Sequence, residues 1–177
     1  MKPILIVYAS RDGQAVRIAQ KLALHLNAYP VQLADLKTPP EQIVACKALI
    51  VIASVRYGRH LPEAIQFFKR HAAQISQLPL AITSVSLSAR KGDGSPNGYL
   101  KKLLQQFQLS PFAALSIAGK LNYPRYSWLD RQIIRLIMHI TGGPSDGTSC
   151  VEYTDWLQLQ NFAQQITTHL RQDHADG

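Results

Sequence analysis

The stretch from Ile4 to Gln14 constrains this chain more than any other. Ile4-Leu5-Ile6-Val7-Tyr8-Ala9 is a short unbroken apolar run, and its length and β-branched content suit a strand buried on both faces of a parallel sheet. Ser10-Arg11-Asp12-Gly13-Gln14 breaks the run. Ala15 to Leu26 then has helical spacing, with Ala15, Ile18, Ala19, Leu22 and Leu26 on one face. A strand that turns directly into a helix leaves free N–H groups at the helix start, with a dipole of roughly half a positive charge there. That is a ready site for a phosphate. Only Gly13 is glycine in the turn, so neither the three-glycine dinucleotide pattern nor the Gly-Lys-Ser/Thr phosphate loop is present. The same turn also reads as an ordinary first β–α unit whose Asp12 caps the helix.

The rest of the chain alternates strand and helix. Val31–Asp35 is a second, shorter strand, followed by a turn at Thr38–Glu41. Ala48–Ala53 is a third strand, apolar on both faces and therefore central. Ser54-Val55-Arg56-Tyr57-Gly58-Arg59-His60 reads as a loop, and Leu61–Ala73 as a helix with Pro62 in its first turn. Leu80–Val85 is a fourth strand, running into Ser86–Lys91, and a helix follows near Tyr99–Phe107. Phe112–Ala118 is a fifth strand; Thr154-Asp155-Trp156 opens a last helix to about Leu170, with residues 173–177 as a frayed tail.

This pattern predicts one α/β domain over residues 1–172, a doubly wound five-stranded parallel sheet in the order 2-1-3-4-5. Ligands of such sheets sit at the carboxyl ends of strands one and three. Ser10–Gln14, Ser54–His60 and Ser86–Lys91 leave carboxyl ends there. Tyr57 suits either stacking on a flat ring or an ordinary loop surface; Arg56 and Arg59 read as solvated charges unless the ligand carries carboxylates.

Composition narrows the class. Hydrophobic residues make up 46%, and the net charge is +8, so anionic surfaces and ligands are favoured. Cys46 and Cys150 lie far apart in no metal or redox spacing, which fits a reducing compartment, and the six histidines show no ligand spacing. No run approaches the about 18 apolar residues of a membrane span, and Met1-Lys2-Pro3 begins no signal peptide.

Lys120 to Gly147 exceeds a minimal doubly wound domain. Ser127 caps a helix over Trp128–Ile140, and Gly142-Gly143-Pro144 ends it. Arg131, Arg135 and His139 share one face, while Trp128, Leu129, Ile133, Ile134, Leu136, Ile137 and Ile140 cover most of the rest. Such a helix suits a membrane interface or a crossover helix packed on its own sheet. Its position as an insertion favours a surface role, in which case deleting it should spare the domain.

The first loop resembles the hydroxyl-x-hydroxyl-Gly-x-hydroxyl loop with which flavodoxins cradle the phosphate of FMN. It keeps Ser10 and Gly13 but has Asp12 and Ala15 where hydroxyls are usual. Nearly the whole chain resembles the flavodoxin-like, quinone-dependent protoporphyrinogen IX dehydrogenases of bacterial haem synthesis. The likeness rests on Ser10–Gln14, Ala53–Gly58, Ser84–Lys91 and Ala118–Tyr126 with Trp128, Asp130 and Arg131, and on Gly142-Gly143 and Tyr153–Trp156.

The resemblance implies six-electron oxidation of protoporphyrinogen IX in three two-electron steps through FMN, with electrons passed to menaquinone or ubiquinone. It implies FMN contacts from Ser10, Arg11, Asp12, Gly13 and Gln14, and from Ser54, Val55, Arg56, Tyr57 and Gly58. Ser84, Val85, Ser86, Leu87 and Ser88, with Gly142 and Gly143, complete that set. Tyr123, Arg125, Tyr126, Trp128, Arg131 and Arg135 are candidates for substrate or membrane docking, with Arg125, Arg131 and Arg135 the ones to pair with substrate propionates or lipid phosphates. The expected partners are protoporphyrinogen IX, the quinone and an anionic membrane surface on the cytoplasmic side, without nucleic acid; a homo-oligomer is left open. No catalytic base or metal site stands out. A soluble flavodoxin-type electron carrier and a non-enzymatic peripheral membrane-binding module are the rival readings.

Overall fold

The computed structural model describes residues 2–29, 31–36 and 41–175. The five expected strands form one parallel sheet: β1 (Ile4–Ala9), β2 (Val31–Asp35), β3 (Ala48–Arg56), β5 (Leu80–Val85) and β6 (Ala113–Ile117), in the order β2-β1-β3-β5-β6. That is the 2-1-3-4-5 order expected of the five principal strands. β4 (Arg59–His60) is an addition: it folds back antiparallel on the end of β3, pairing Arg56 with Arg59 and Val55 with His60. The two residues between have positive φ, Tyr57 at 51° and Gly58 at 75°, the signature of a two-residue type I′ hairpin. The sequence predicts a loop here. Its polar residues carry no strand period, and Tyr-Gly stands where Asn-Gly is the usual signal.

Helices cover both faces of the sheet. α1 (Gln14–His25) and the last helix, α5 (Trp156–Ala175), pack on one side against Ile4, Ile6, Ile50 and Ile52. α2 (Pro62–Ile75) and α3 (Gly98–Gln106) cover the other, where Leu5, Val7, Leu49 and Val51 meet Phe67, Phe68 and Leu103. Ile4–Val7 of β1, Ala48–Ala53 of β3 and all of β5 are buried because side chains of alternating direction meet a helix layer either way. α5 continues through Ala175, past the expected end near Leu170, so residues 173–175 are helical rather than frayed. Residues 176 and 177, and most of the turn expected at Thr38–Glu41, lie outside the described residues.

The segment after β6 makes a small layer of its own. β7 (Lys120–Asn122) and β8 (Cys150–Glu152) pair antiparallel off the main sheet. Between them run a short turn at Tyr123–Arg125 and α4 (Trp128–Ile140), capped by Ser127 Oγ, which accepts from Asp130 N–H at 3.2 Å. Leu121, Tyr123, Tyr126, Ile134 and Met138 form a third apolar cluster, with Leu87 from the main domain packed against it. Contrary to the expectation of a detachable surface insertion, the segment has a core and closes it on the domain.

Candidate active site

Three loops converge at the carboxyl end of the sheet. The first is held by Ser10 Oγ, which accepts from Gly13 N–H at 2.9 Å. Gly13 sits at φ 82° and is itself the N-cap residue, with no side-chain cap. Asp12 therefore does not cap α1. The first helical bond runs from Arg17 N–H to the Gly13 carbonyl at 3.2 Å, which leaves the N–H groups of Gln14, Ala15 and Val16 without an intrahelical acceptor. Gln14 and Ala15 line the cleft there, so the partial positive charge of the helix end faces into it. Apart from its chain neighbours, no atom of the described residues lies within 4 Å of where a Gly13 Cβ would stand. A backbone cradle of this kind fits a phosphate monoester.

The second loop is tied to the first by Ser54, whose Oγ donates to the Ala9 carbonyl at 2.8 Å. The third turns tightly at Ser86, whose Oγ accepts from Ala89 N–H at 3.3 Å and lies 3.0 Å from Ser88 Oγ. Val55, Arg56, Tyr57 and Gly58 line one side of the cleft and Val85, Ser86, Leu87 and Ser88 another. The segment running from β7 to β8, the cap, supplies the remaining wall through Tyr126, Ile134 and Ile137. A slot with apolar walls and an anion cradle at one end suits a flat aromatic ring system carrying a phosphate.

Charge is balanced across this slot by Arg56. Its guanidinium lies 3.2 Å from Asp12 in the first loop and 2.7 Å from Asp130 in the first turn of α4. The Tyr57 hydroxyl also donates to Asp130. Arg56 neutralises the carboxylate that Asp12 brings beside the anion cradle, and it ties the cap segment to both loops. Arg11 is paired with Glu63 at 2.7 Å. Behind the first loop, Gln14 Nε2 donates to Glu152 at 2.7 Å and to Thr154 at 2.8 Å, so the end of β8 braces the cradle.

A family model described as a flavodoxin domain matches residues 5–148. The protoporphyrinogen IX dehydrogenase [quinone] of Escherichia coli K12 is 39% identical over 169 residues, covering 92% of this chain and 93% of that protein. A protein of the same name from Leishmania major is 35% identical, over 90% of this chain and 72% of its own length. Among solved structures, a Fusobacterium nucleatum flavodoxin bound to flavin mononucleotide superposes with a TM-score of 0.56 at 13% identity, covering 96% of this chain and 99% of its own. The chain belongs to the protoporphyrinogen IX dehydrogenase [quinone] family of flavodoxin-domain proteins.

Against the residue set that this family resemblance implied, the structure sorts the candidates. Ser10, Arg11, Asp12, Gln14, the residues 54–58, the residues 85–88 and Tyr126 line the flavodoxin-type cleft. Ser84 lies beneath it, fully buried, with its Oγ 2.9 Å from His60 Nε2. Gly142 and Gly143 do not reach the cleft. They end α4 in a Schellman turn, Gly143 N–H donating to the Met138 carbonyl at 2.8 Å, and a side chain at Gly143 would collide with Met138. Tyr123 is 0% exposed and donates to the Pro144 carbonyl at 2.7 Å, so it serves the cap's core and has no surface to dock with.

Arg131 and Arg135 lie against the chain's own 145–147 turn. Arg135 Nε donates to the Ser145 carbonyl at 2.9 Å, and both side chains pack at Gly147. Arg125 and Trp128 are exposed. Sequence reasoning missed Tyr99, Lys120, Ile134 and Ile137 as cleft residues and Asp130 as the partner of Arg56. The two isoleucines sit in a helix apolar on nearly every side, where periodicity cannot select the inward stripe.

Two expectations follow from this geometry. At Gly13 the left-handed φ is the constraint, so Gly13→Val should strain the first turn by about 1–2 kcal/mol and raise the flavin Kd roughly tenfold, read by fluorescence titration. Flavin affinity equal to the parent would place the cradle elsewhere. His60 has its pKa lowered from 6.5 to about 4 by desolvation. Its folded pKa lies below its unfolded one, so its contribution is full above pH 6.5 and is lost as pH falls toward 4. His60→Gln should flatten that part of the stability curve, worth about 2–3 kcal/mol, in urea titrations at a series of pH values.

Proposed function

We propose that this protein is an FMN-dependent protoporphyrinogen IX dehydrogenase that passes electrons to a membrane quinone, menaquinone or ubiquinone. The observation that carries the reading is the 39% identity across 92% of the chain, which leaves too few residues out to omit the cap segment that walls the cleft. In this reading the phosphate rests on the N–H groups of residues 14–16, with Ser10 shaping the loop and Arg56 cancelling the charge of Asp12. Tyr57, Leu87, Tyr126 and Ile137 flank the ring and exclude water. Bound FMN supplies the hydride-accepting and electron-releasing chemistry, and the protein supplies orientation and a dry wall. No carboxylate or histidine is placed as a base.

The reading extends to the membrane face on the cytoplasmic side, where an apolar quinone is met. α4 turns Trp128, Leu129, Leu136 and Ile140 outward, with Trp128 73% and Ile140 74% exposed, beside the cleft-lining Ile137. Among the described residues no helix is long and apolar enough to cross a membrane. This outward stripe, rather than Arg131 and Arg135, is the docking element, because those arginines are turned onto the chain's own loop. Replacing Trp128, Leu136 and Ile140 together with serine should abolish co-sedimentation with liposomes, since each buried side chain is worth about 1.5–3 kcal/mol, and should leave FMN content intact. Unchanged sedimentation would remove α4 as the docking element. The activity itself is tested by anaerobic steady-state turnover of protoporphyrinogen with a menaquinone or ubiquinone analogue; protoporphyrin formation dependent on both FMN and quinone is expected. Reduction of a protein partner without porphyrinogen oxidation would favour an electron carrier.

A further inference from the structure

A second groove opens between α2 and α3, beside the hairpin of β3 and β4. It borders the flavin cleft, because Gly58 and Tyr99 line both. Its floor is apolar, with Ile65 and Leu103, and its rim carries Arg59, Lys69 and Lys102. Among the described residues no aspartate or glutamate lines it. Glu63, beside it on α2, is already paired with Arg11 at 2.7 Å. Among the described residues none of the three rim cations forms an ion pair, whereas Arg11, Arg17 and Arg56 all do.

Three uncompensated like charges around an apolar floor repel one another, and an anion with an apolar body relieves that repulsion. His60 also faces the groove, and its lowered pKa keeps it neutral near pH 7, so the rim cations set the charge.

We infer that this groove is the carboxylate-binding subsite for the substrate, taking the two propionate arms of the tetrapyrrole while its ring edge reaches past Gly58 and Tyr99 into the flavin cleft. The inference rests on the proposed dehydrogenase function and names the residues that would recognise its substrate. It takes that role from Arg131 and Arg135, whose side chains pack at Gly147, with Arg135 Nε donating to the Ser145 carbonyl. Arg59 stands next to the shared border and offers a bidentate contact, while Lys69 and Lys102 act as point charges farther along the groove.

The test uses the FMN-loaded protein in lipid-free buffer, so that lipid phosphate cannot stand in for the ligand. Protoporphyrin IX and its dimethyl ester are titrated by flavin and porphyrin fluorescence, and protoporphyrinogen and its dimethyl ester are compared as substrates with a soluble quinone analogue. The parent should bind the free acid at least tenfold more tightly than the ester. Lys69→Gln combined with Lys102→Gln should erase about tenfold of that preference, in both Kd and KM, with FMN content as the check on folding. A double variant that keeps the parent's acid-to-ester ratio overturns the subsite. A parent that oxidises neither substrate would instead sink the dehydrogenase reading, and the binding titration would still decide whether the groove selects the dicarboxylate.

Discussion

Tyr123→Ala is expected to cost the protein about 3–5 kcal/mol and to shed its flavin. The side chain is fully buried in the cap's small core, where its ring meets Tyr126 edge to face at 5.9 Å between centroids. Truncation leaves a cavity and orphans the Pro144 carbonyl that the hydroxyl satisfies. That loss is large against the 5–15 kcal/mol, roughly, that a domain of this kind has to spare. Because Tyr126, Ile134 and Ile137 wall the cleft, loosening the cap should release FMN before the main sheet unfolds. Trp128→Ala, at a position 73% exposed, should change stability by less than about 0.5 kcal/mol. Excision of the whole segment between β7 and β8 should likewise leave a protein that cannot hold flavin. A cap that could be removed with full flavin retention would be a surface appendage, as the sequence suggested. Parallel chemical denaturation followed by circular dichroism and by flavin fluorescence separates the two outcomes.

The second large effect is expected at Arg56. Its guanidinium is the only cation described within ion-pair distance of both Asp12 and Asp130, and its side chain is 19% exposed. Arg56→Ala leaves two carboxylates uncompensated, one of them in the loop where the flavin phosphate is proposed to rest. The expected penalty on FMN binding is about 1–3 kcal/mol, between the values for exposed and buried pairs, which is roughly 5- to 150-fold in Kd. Arg56→Lys should recover part of it, since a lysine meets one carboxylate well but not two. Asp130→Asn combined with Arg56→Ala should show non-additive coupling in a double-mutant cycle. Raising ionic strength should narrow the gap between parent and Arg56→Ala. Equal FMN affinity in parent and variant at low salt would mean that Arg56 only fastens the cap.

How far the sequence carried the structure depends on what each residue pattern could encode. β1, β3 and β5 were legible because a short, mostly apolar run with β-branched residues has few homes other than a strand covered on both faces. The order of the sheet followed from chain alternation. α4 was legible as a helix, its bounds at Trp128 and Ile140 matching the spacing and the Ser127 cap. Its orientation was not. Arg131 and Arg135 share a face by their four-residue spacing, but only the 145–147 turn, folded back by Asp146 accepting from Thr148 and Ser149 N–H at 2.8 Å each, decides what that face meets. Gly142-Gly143 carried the same ambiguity, since a glycine pair after a helix serves a Schellman turn as well as a ligand. Asp12 and Arg56 lie 44 positions apart, and nothing local announces that they pair.

The central claim is that the cleft between these three loops holds a flavin that accepts electrons from a porphyrinogen. Its most direct test is a single anaerobic turnover without quinone, in which protoporphyrinogen is added to the FMN-loaded protein and the flavin absorbance is followed. Bleaching of the bound flavin in step with the appearance of porphyrin fluorescence is the expected result. A protein that binds FMN at this site yet keeps its oxidised spectrum in the presence of excess protoporphyrinogen would contradict it.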